Sequence, residues 1–130
     1  EDTVNFINTF GNLKNIEIEN SMSDALDVDF SRLDIEKINI KSAGNDCVDF
    51  SYGNYKIDYL IASNCGDKAL SVGEKSKLTL NKIIASDSLI GIASKDSSVV
   101  DVDKATFNSP ILFCDLMECS VDGWLSIIQL

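Results

Sequence analysis

Residues Gly66–Glu74 read Gly-Asp-Lys-Ala-Leu-Ser-Val-Gly-Glu, a charged turn that runs into an apolar, polar, apolar alternation at Leu70, Ser71 and Val72. Alternation with period two marks a half-buried strand. The fold is decided by its recurrence: Leu26, Val48, Leu70 and Ile92 stand 22 residues apart, and Val4 lies 22 before Leu26. Two positions on, Phe6, Val28, Phe50, Val72 and Ser94 form a second column, with Asp27, Asp49, Ser71 and Ala93 between the two.

The same step finds further columns. Leu13, Ile35, Ile57, Leu80 and Val102 mark a second strand in each repeat; Ile16, Ile38, Leu60, Ile83 and Ala105, followed by Ile18, Ile40, Ala62, Ala85 and Phe107, mark a third. Ile57 to Leu80 is 23 residues, which places one insertion in the turn around Glu74–Lys77, and a compensating deletion precedes Ile92. Three short strands per 22 residues predict an all-β fold, a right-handed parallel β-helix of about six coils in which like positions stack at roughly 4.8 Å. Leucine-rich repeats share the period but need one strand and an LxxLxL frame, and no sustained 3.6-residue stripe supports helical repeats. Asn20, Ser42, Asn64, Asp87 and Ser109 recur after the third strand and read as a structural corner column, because small polar side chains satisfy turn backbone and bond the next coil.

A chain of 130 residues fits one domain spanning 1–130. Residues 110–130 break the alternation and read as a degenerate last coil or a cap, so the chain is expected to be part of a longer solenoid or to associate end to end. With 21 acidic against 11 basic residues and a formal charge of -10, a nucleic-acid partner is excluded on electrostatic grounds. No apolar run reaches the roughly 18 residues of a spanning helix, so membrane insertion is not expected. Histidine is absent, which removes Ser-His-Asp and Cys-His mechanisms. Cys47, Cys65, Cys114 and Cys119 form no CxxC pair; buried free thiols are expected in preference to a zinc site.

The stretches Asn45-Asp46-Cys47-Val48-Asp49-Phe50-Ser51, Gly66–Ser76 and Gly91–Ser98 resemble successive coils of right-handed β-helix proteins of the pectate-lyase-like superfamily. They are most similar to β-helix regions that accompany spore-coat and lamin-tail-type modules in large bacterial surface proteins. The resemblance covers residues 20 to 108. It implies an extracellular or cell-surface setting and a superfamily that includes lyases, hydrolases, epimerases, adhesins and spacers, so fold alone does not fix activity. The sole arginine, Arg32, and the lack of histidine leave no complete catalytic motif of that superfamily to carry over, although lysines keep a lyase reading open.

Stacking turns linear spacing into a surface map. Asp24, Asp27, Asp29, Asp46 and Asp49 fall on one lateral face, with Lys68 and Lys95 further along it. A carboxylate patch of this kind would take calcium as its only expected cofactor, or Asp27 and Asp49 would act as acid and base on a sugar with Lys68 or Lys95 beside them. The competing expectation is a solvated acidic face that keeps a β-rich rod soluble. Tyr52, Tyr59, Glu74 and Asp96 are candidates for carbohydrate contact, Tyr55 is expected in the core, and a lateral Lys95–Glu74 ion pair is expected. The preferred expectation is a non-catalytic module of a larger bacterial surface or secreted protein, presenting a flat face to polysaccharide or to adjacent domains of the same polypeptide. A polysaccharide lyase, hydrolase or epimerase segment and a structural spacer are the alternatives.

Overall fold

A computed structural model describes the backbone of residues 1–108, 112–115 and 119–128 and the side chains of residues 1–108. The strands are β1 (Val4–Ile7), β2 (Phe10–Ser21), β3 (Leu26–Asp29), β4 (Arg32–Ala43), β5 (Val48–Ser51), β6 (Asn54–Cys65), β7 (Lys68–Gly73), β8 (Lys77–Ser86), β9 (Ile90–Ser94), β10 (Val99–Asn108), β11 (Leu112–Asp115) and β12 (Cys119–Ile128). Odd-numbered strands stack in one parallel six-stranded sheet and even-numbered strands in another. The result is a β-solenoid of about five turns, and no helix occurs among the described residues.

The register is the one the repeat predicts. Val4, Leu26, Val48, Leu70 and Ile92 are successive partners, as are Phe6, Val28, Phe50, Val72 and Ser94. Ile57 pairs with Leu80 at an offset of 23, and Lys68 with Ile90 at 22, so the insertion and deletion occupy the two turns expected of them. The final pairing is less regular: Val100 meets Cys119 and Ala105 meets Leu125, with a bulge between Val102 and Lys104. The cap expected at residues 110–130, and Ser109, lie outside the residues whose side chains are described.

Each coil holds two hydrogen-bonded strands, where the sequence columns predict three. Ile35 and Ile38 both point inward, so the chain must turn a corner at Glu36 and Lys37, which both face out. The ladder loses only one residue there: Ile35 pairs with Ile57, residue 36 is skipped, and Lys37 pairs with Tyr59. Hydrogen bonding therefore carries through the bend, and the predicted second and third strands become one.

The other two corners depend on backbone in the left-handed region, which non-glycine residues rarely enter. Asn20, Ser42, Asn64 and Asp87 have φ of 60°, 71°, 55° and 53°. Asn and Asp tolerate this conformation because their short side chains bond locally, and Asn64 Nδ2 also donates to Ser42 Oγ one coil away (2.7 Å). At the opposite corner Phe30 and Tyr52 adopt φ of 50° and 49°. Their rings stack at 4.6 Å and 4°, a contact worth about 1 kcal/mol that offsets part of the backbone cost.

Inward columns fill the interior with Leu26, Leu33, Ile38, Phe50, Ile57, Leu70, Leu80 and Phe107, all buried. Tyr55 joins them between Leu33 and Leu78; its hydroxyl donates toward the Ser51 (2.7 Å) and Val28 (3.1 Å) carbonyls. Ser94, the polar residue in an apolar column, donates to the Ser98 carbonyl (3.1 Å), so its burial leaves no unmet bond. Cys47 and Cys65 are joined in a disulfide, which corrects the expectation of free thiols for this pair. Sequence spacing misses it because the two residues stand 18 apart, a separation that is no multiple of the repeat, and meet only when the coil closes. Side chains of Cys114 and Cys119 are outside those described.

Candidate functional site

Two lateral faces carry polar side chains that the core does not use. The first is the outer surface of the short strands and their turns, where the predicted residues other than Tyr59 fall. Asn5, Asp27, Asp49, Ser71 and Ala93 form one column. Asn5 Nδ2 donates to Asp27 Oδ2 (2.9 Å). Asp49 Oδ1 and Ser71 Oγ are both buried, and the neighbouring Ser71 hydroxyl favours the charged form of Asp49. Burial, with Asp29, Asp2, Asp49 and Asp24 around it, pushes the Asp27 pKa up to about 6. Asp49 is also pushed up to about 6 by burial, against the opposing pull of Lys95. Burial and Glu74 raise Asp29.

The remaining predicted residues separate into structural roles. Asp24 Oδ1 accepts the Asp46 amide (2.9 Å) and Asn45 Nδ2 (2.7 Å), and Asp46 Oδ1 accepts the Lys68 amide (3.0 Å). These two aspartates cap the backbone of the coil above. Burial raises the Asp46 pKa despite Lys68, whose ammonium bridges Asp46 (3.3 Å) and Asp67. Burial works against the Lys68 charge, but the two carboxylates outweigh it and raise its pKa. Among the described residues no three Asp, Glu or Cys side chains come together as a metal-holding group. The five aspartates proposed for calcium are thus strung along three columns, Asp24 with Asp46, Asp27 with Asp49, and Asp29 beside Ser51, and Asp24 and Asp46 are engaged by backbone amides.

Lys95 does not pair with Glu74. Glu74 accepts the Ser51 hydroxyl (2.6 Å), while the Lys95 stem lies over Gly73, where an added Cβ would meet its Cε at 3.5 Å. The carbonyl of Asp96 takes the Lys75 amide (2.9 Å). Tyr52 is half exposed, with one ring face against Phe30. Tyr59 lies beyond the outer bend, under the Lys82 ammonium at 5.3 Å. Tyr52 and Tyr59 therefore do not share a surface.

The second face is one the sequence reading passed over. On the outer side of the long strands, before their bend, Asn12, Asp34, Lys56 and Thr79 form a column. Arg32, Asn54 and Lys77 flank it on one side. Two shallow depressions of about 190 and 270 Å³ adjoin here and share Asp34 and Lys56. Among the described residues no ion pair engages Arg32, Asp34, Lys56 or Lys77. Acidic and basic groups are interspersed, so this strip is polar without a strong field of one sign. Its only sequence signal is the alternation of charge along the outward positions, which also describes an ordinary solvated surface.

No protein-family model, curated protein or solved structure matches the chain.

Proposed function

We propose that this chain is a non-catalytic β-solenoid module that binds an extended polyhydroxyl polymer, a polysaccharide, along the outer face of its long strands. The observation that carries the reading is the pair of adjoining depressions sharing Asp34 and Lys56. Shallow, polar, continuous surfaces suit a polymer lying across several rungs, whereas small-molecule sites are enclosed and mostly apolar. Unpaired donors and acceptors in both depressions can replace the water shell of sugar hydroxyls. The Cys47–Cys65 disulfide supports a secreted or cell-surface setting, since such bonds persist in oxidising compartments.

Affinity electrophoresis through gels containing neutral or uronic polysaccharides tests the reading. The protein is expected to be retarded by at least one of them, with Lys56→Ala and Asp34→Ala each reducing the retardation several-fold. Equal migration in every gel would remove the proposal.

A catalytic reading is favoured by a different observation, the two neighbouring carboxylates Asp27 and Asp49 held near pKa 6. One of such a pair can hold a proton while the other is ionised, as acid–base chemistry on a glycosidic bond requires. It predicts new reducing ends or unsaturated products from a retained polysaccharide, lost in Asp49→Asn. Retention without product selects the binding module.

A further inference from the structure

Beyond the bend, the outer side of the long strands differs from both faces described above. Lys37, Tyr59, Lys82 and Lys104 form its first outward column, Asn39, Ile61, Ile84 and Thr106 the second, and Lys41, Ser63, Ser86 and Asn108 the third. Lysine is the only charged residue type at these positions, although the chain holds 21 acidic against 11 basic residues.

The bend sorts the charges. Two consecutive residues face out at each corner; Glu36 and Asp58 line the depression on the near side, whereas Lys37 and Tyr59 open the alternation on the far side. Among the described residues no ion pair engages Lys37, Lys41 or Lys82, and Lys104 reaches only Asp103, at 3.9 Å, with both side chains more than half exposed. The Lys82 ammonium is held over the Tyr59 ring at 5.3 Å, so it is positioned before any partner arrives. Between the lysine columns Ile61 and Ile84 are half-buried and leave an apolar centre.

Like positions on successive coils repeat at about 4.8 Å, so the first column is a line of positive charge parallel to the axis. An ammonium is a point charge on a flexible stem, without the forked geometry of a guanidinium. The line therefore matches a partner whose anions are themselves repeated, and the apolar centre suits the C–H face of a sugar ring. A single-stranded nucleic acid needs free aromatic faces for its bases, and the ring available here, Tyr59, already lies under Lys82.

We propose that this face is a second binding track, for an acidic polysaccharide that carries an anionic group on successive sugars and lies parallel to the solenoid axis. The carboxylates of Glu36, Asp58 and Asp103 along the bend repel such a polymer and confine it to the lysine columns. Glu17 and Glu19, which pair with Asn39 and Lys41, bound the track at the first coil. The track shares no residue with the strip around Asp34 and Lys56, so either can fail while the other stands.

Affinity electrophoresis through alginate, which has a carboxylate on every sugar, tests the track, with a chelator present so that calcium cannot bridge protein and polymer. Retardation is expected at about 20 mM salt and should largely vanish at about 200 mM, where the Debye length is under 10 Å. Lys82→Gln with Lys104→Gln should weaken the retardation about fivefold, as the loss of two exposed charge contacts does. Lys14→Gln with Lys75→Gln removes the same charge from exposed positions outside the track and should leave retardation unchanged, as should Lys56→Ala. No retardation in alginate, equal weakening by the two double variants, or equal retention in neutral dextran would overturn the proposal. Stronger retention of oligothymidylate than of alginate would overturn it in favour of a nucleic acid. If the Lys82 and Lys104 double variant loses its β-sheet circular dichroism, the single changes decide, and two folded single variants that migrate like the parent in alginate refute the track.

Discussion

Gly66 has no room for a side chain, since a Cβ there would run into the carbonyl of Gly44 one coil below. Gly44 is bounded in the same way by the Met22 carbonyl, so the coil-to-coil approach at this corner depends on backbone alone. Gly66→Ala should cost about 1–3 kcal/mol, as forced overpacking does, read as a lower midpoint in denaturant. Asp49 makes the opposite prediction. Its pKa is raised in the folded chain to about 6 from an ordinary 3.8, so the folded state binds the proton more readily than the unfolded state does. Stability should therefore rise as pH falls through 6 and level off below about 4. Asp49→Asn should flatten much of that dependence and raise Tm near pH 7 by roughly 4 °C, taking about 1 kcal/mol after solvent screening. A variant less stable than the parent at pH 7 would show that the ionised carboxylate is needed for the fold. Asp27 and Asp49 could be placed side by side by counting, because strand register is set by the apolar columns. Their raised pKa values could not, because desolvation depends on what lies over the face, and the stem of Lys95 across Gly73 is a side-chain choice.

Among the elements, the Cys47–Cys65 bridge ties the start of one short strand to the end of the following long strand and encloses most of a coil. Reduction, or Cys47→Ser with Cys65→Ser, should cost about 3 kcal/mol on loop-entropy grounds, measured as the shift in denaturant midpoint with and without reductant. An unshifted midpoint would mean that the bond is absent from the folded protein in solution. The strand count shows where sequence periodicity stops. Two apolar columns separated by two outward residues describe a corner, and the columns at Ile35 and Ile38 locate it correctly. Whether hydrogen bonding breaks there is a matter of backbone angle, which the in-and-out pattern of side chains does not encode. The polar corner column was legible because Asn20, Ser42 and Asn64 are residues that tolerate positive φ; Phe30 and Tyr52 gave no such signal, and only their stacking accounts for them.

For the molecule as a whole, the chain carries a formal charge of -10, so copies repel one another over a distance set by ionic strength. The solenoid, its handed-on register and its paired insertion and deletion were all readable from columns of apolar residues. The polar strip around Asp34 and Lys56 was not, because a depression arises from the lengths and rotamers of neighbouring side chains on a surface that counting treats as flat. The congruence of the coils at 22 residues has a further use. Excising Asn45–Gly66 removes one complete cassette together with both bridged cysteines, joins Gly44 to Asp67, and sets Leu70 over Leu26. The shortened polypeptide should fold into a rod about 4.8 Å shorter by small-angle scattering, whereas a cut of 21 residues across the same stretch would turn its hydrophobic side outward and leave an insoluble product.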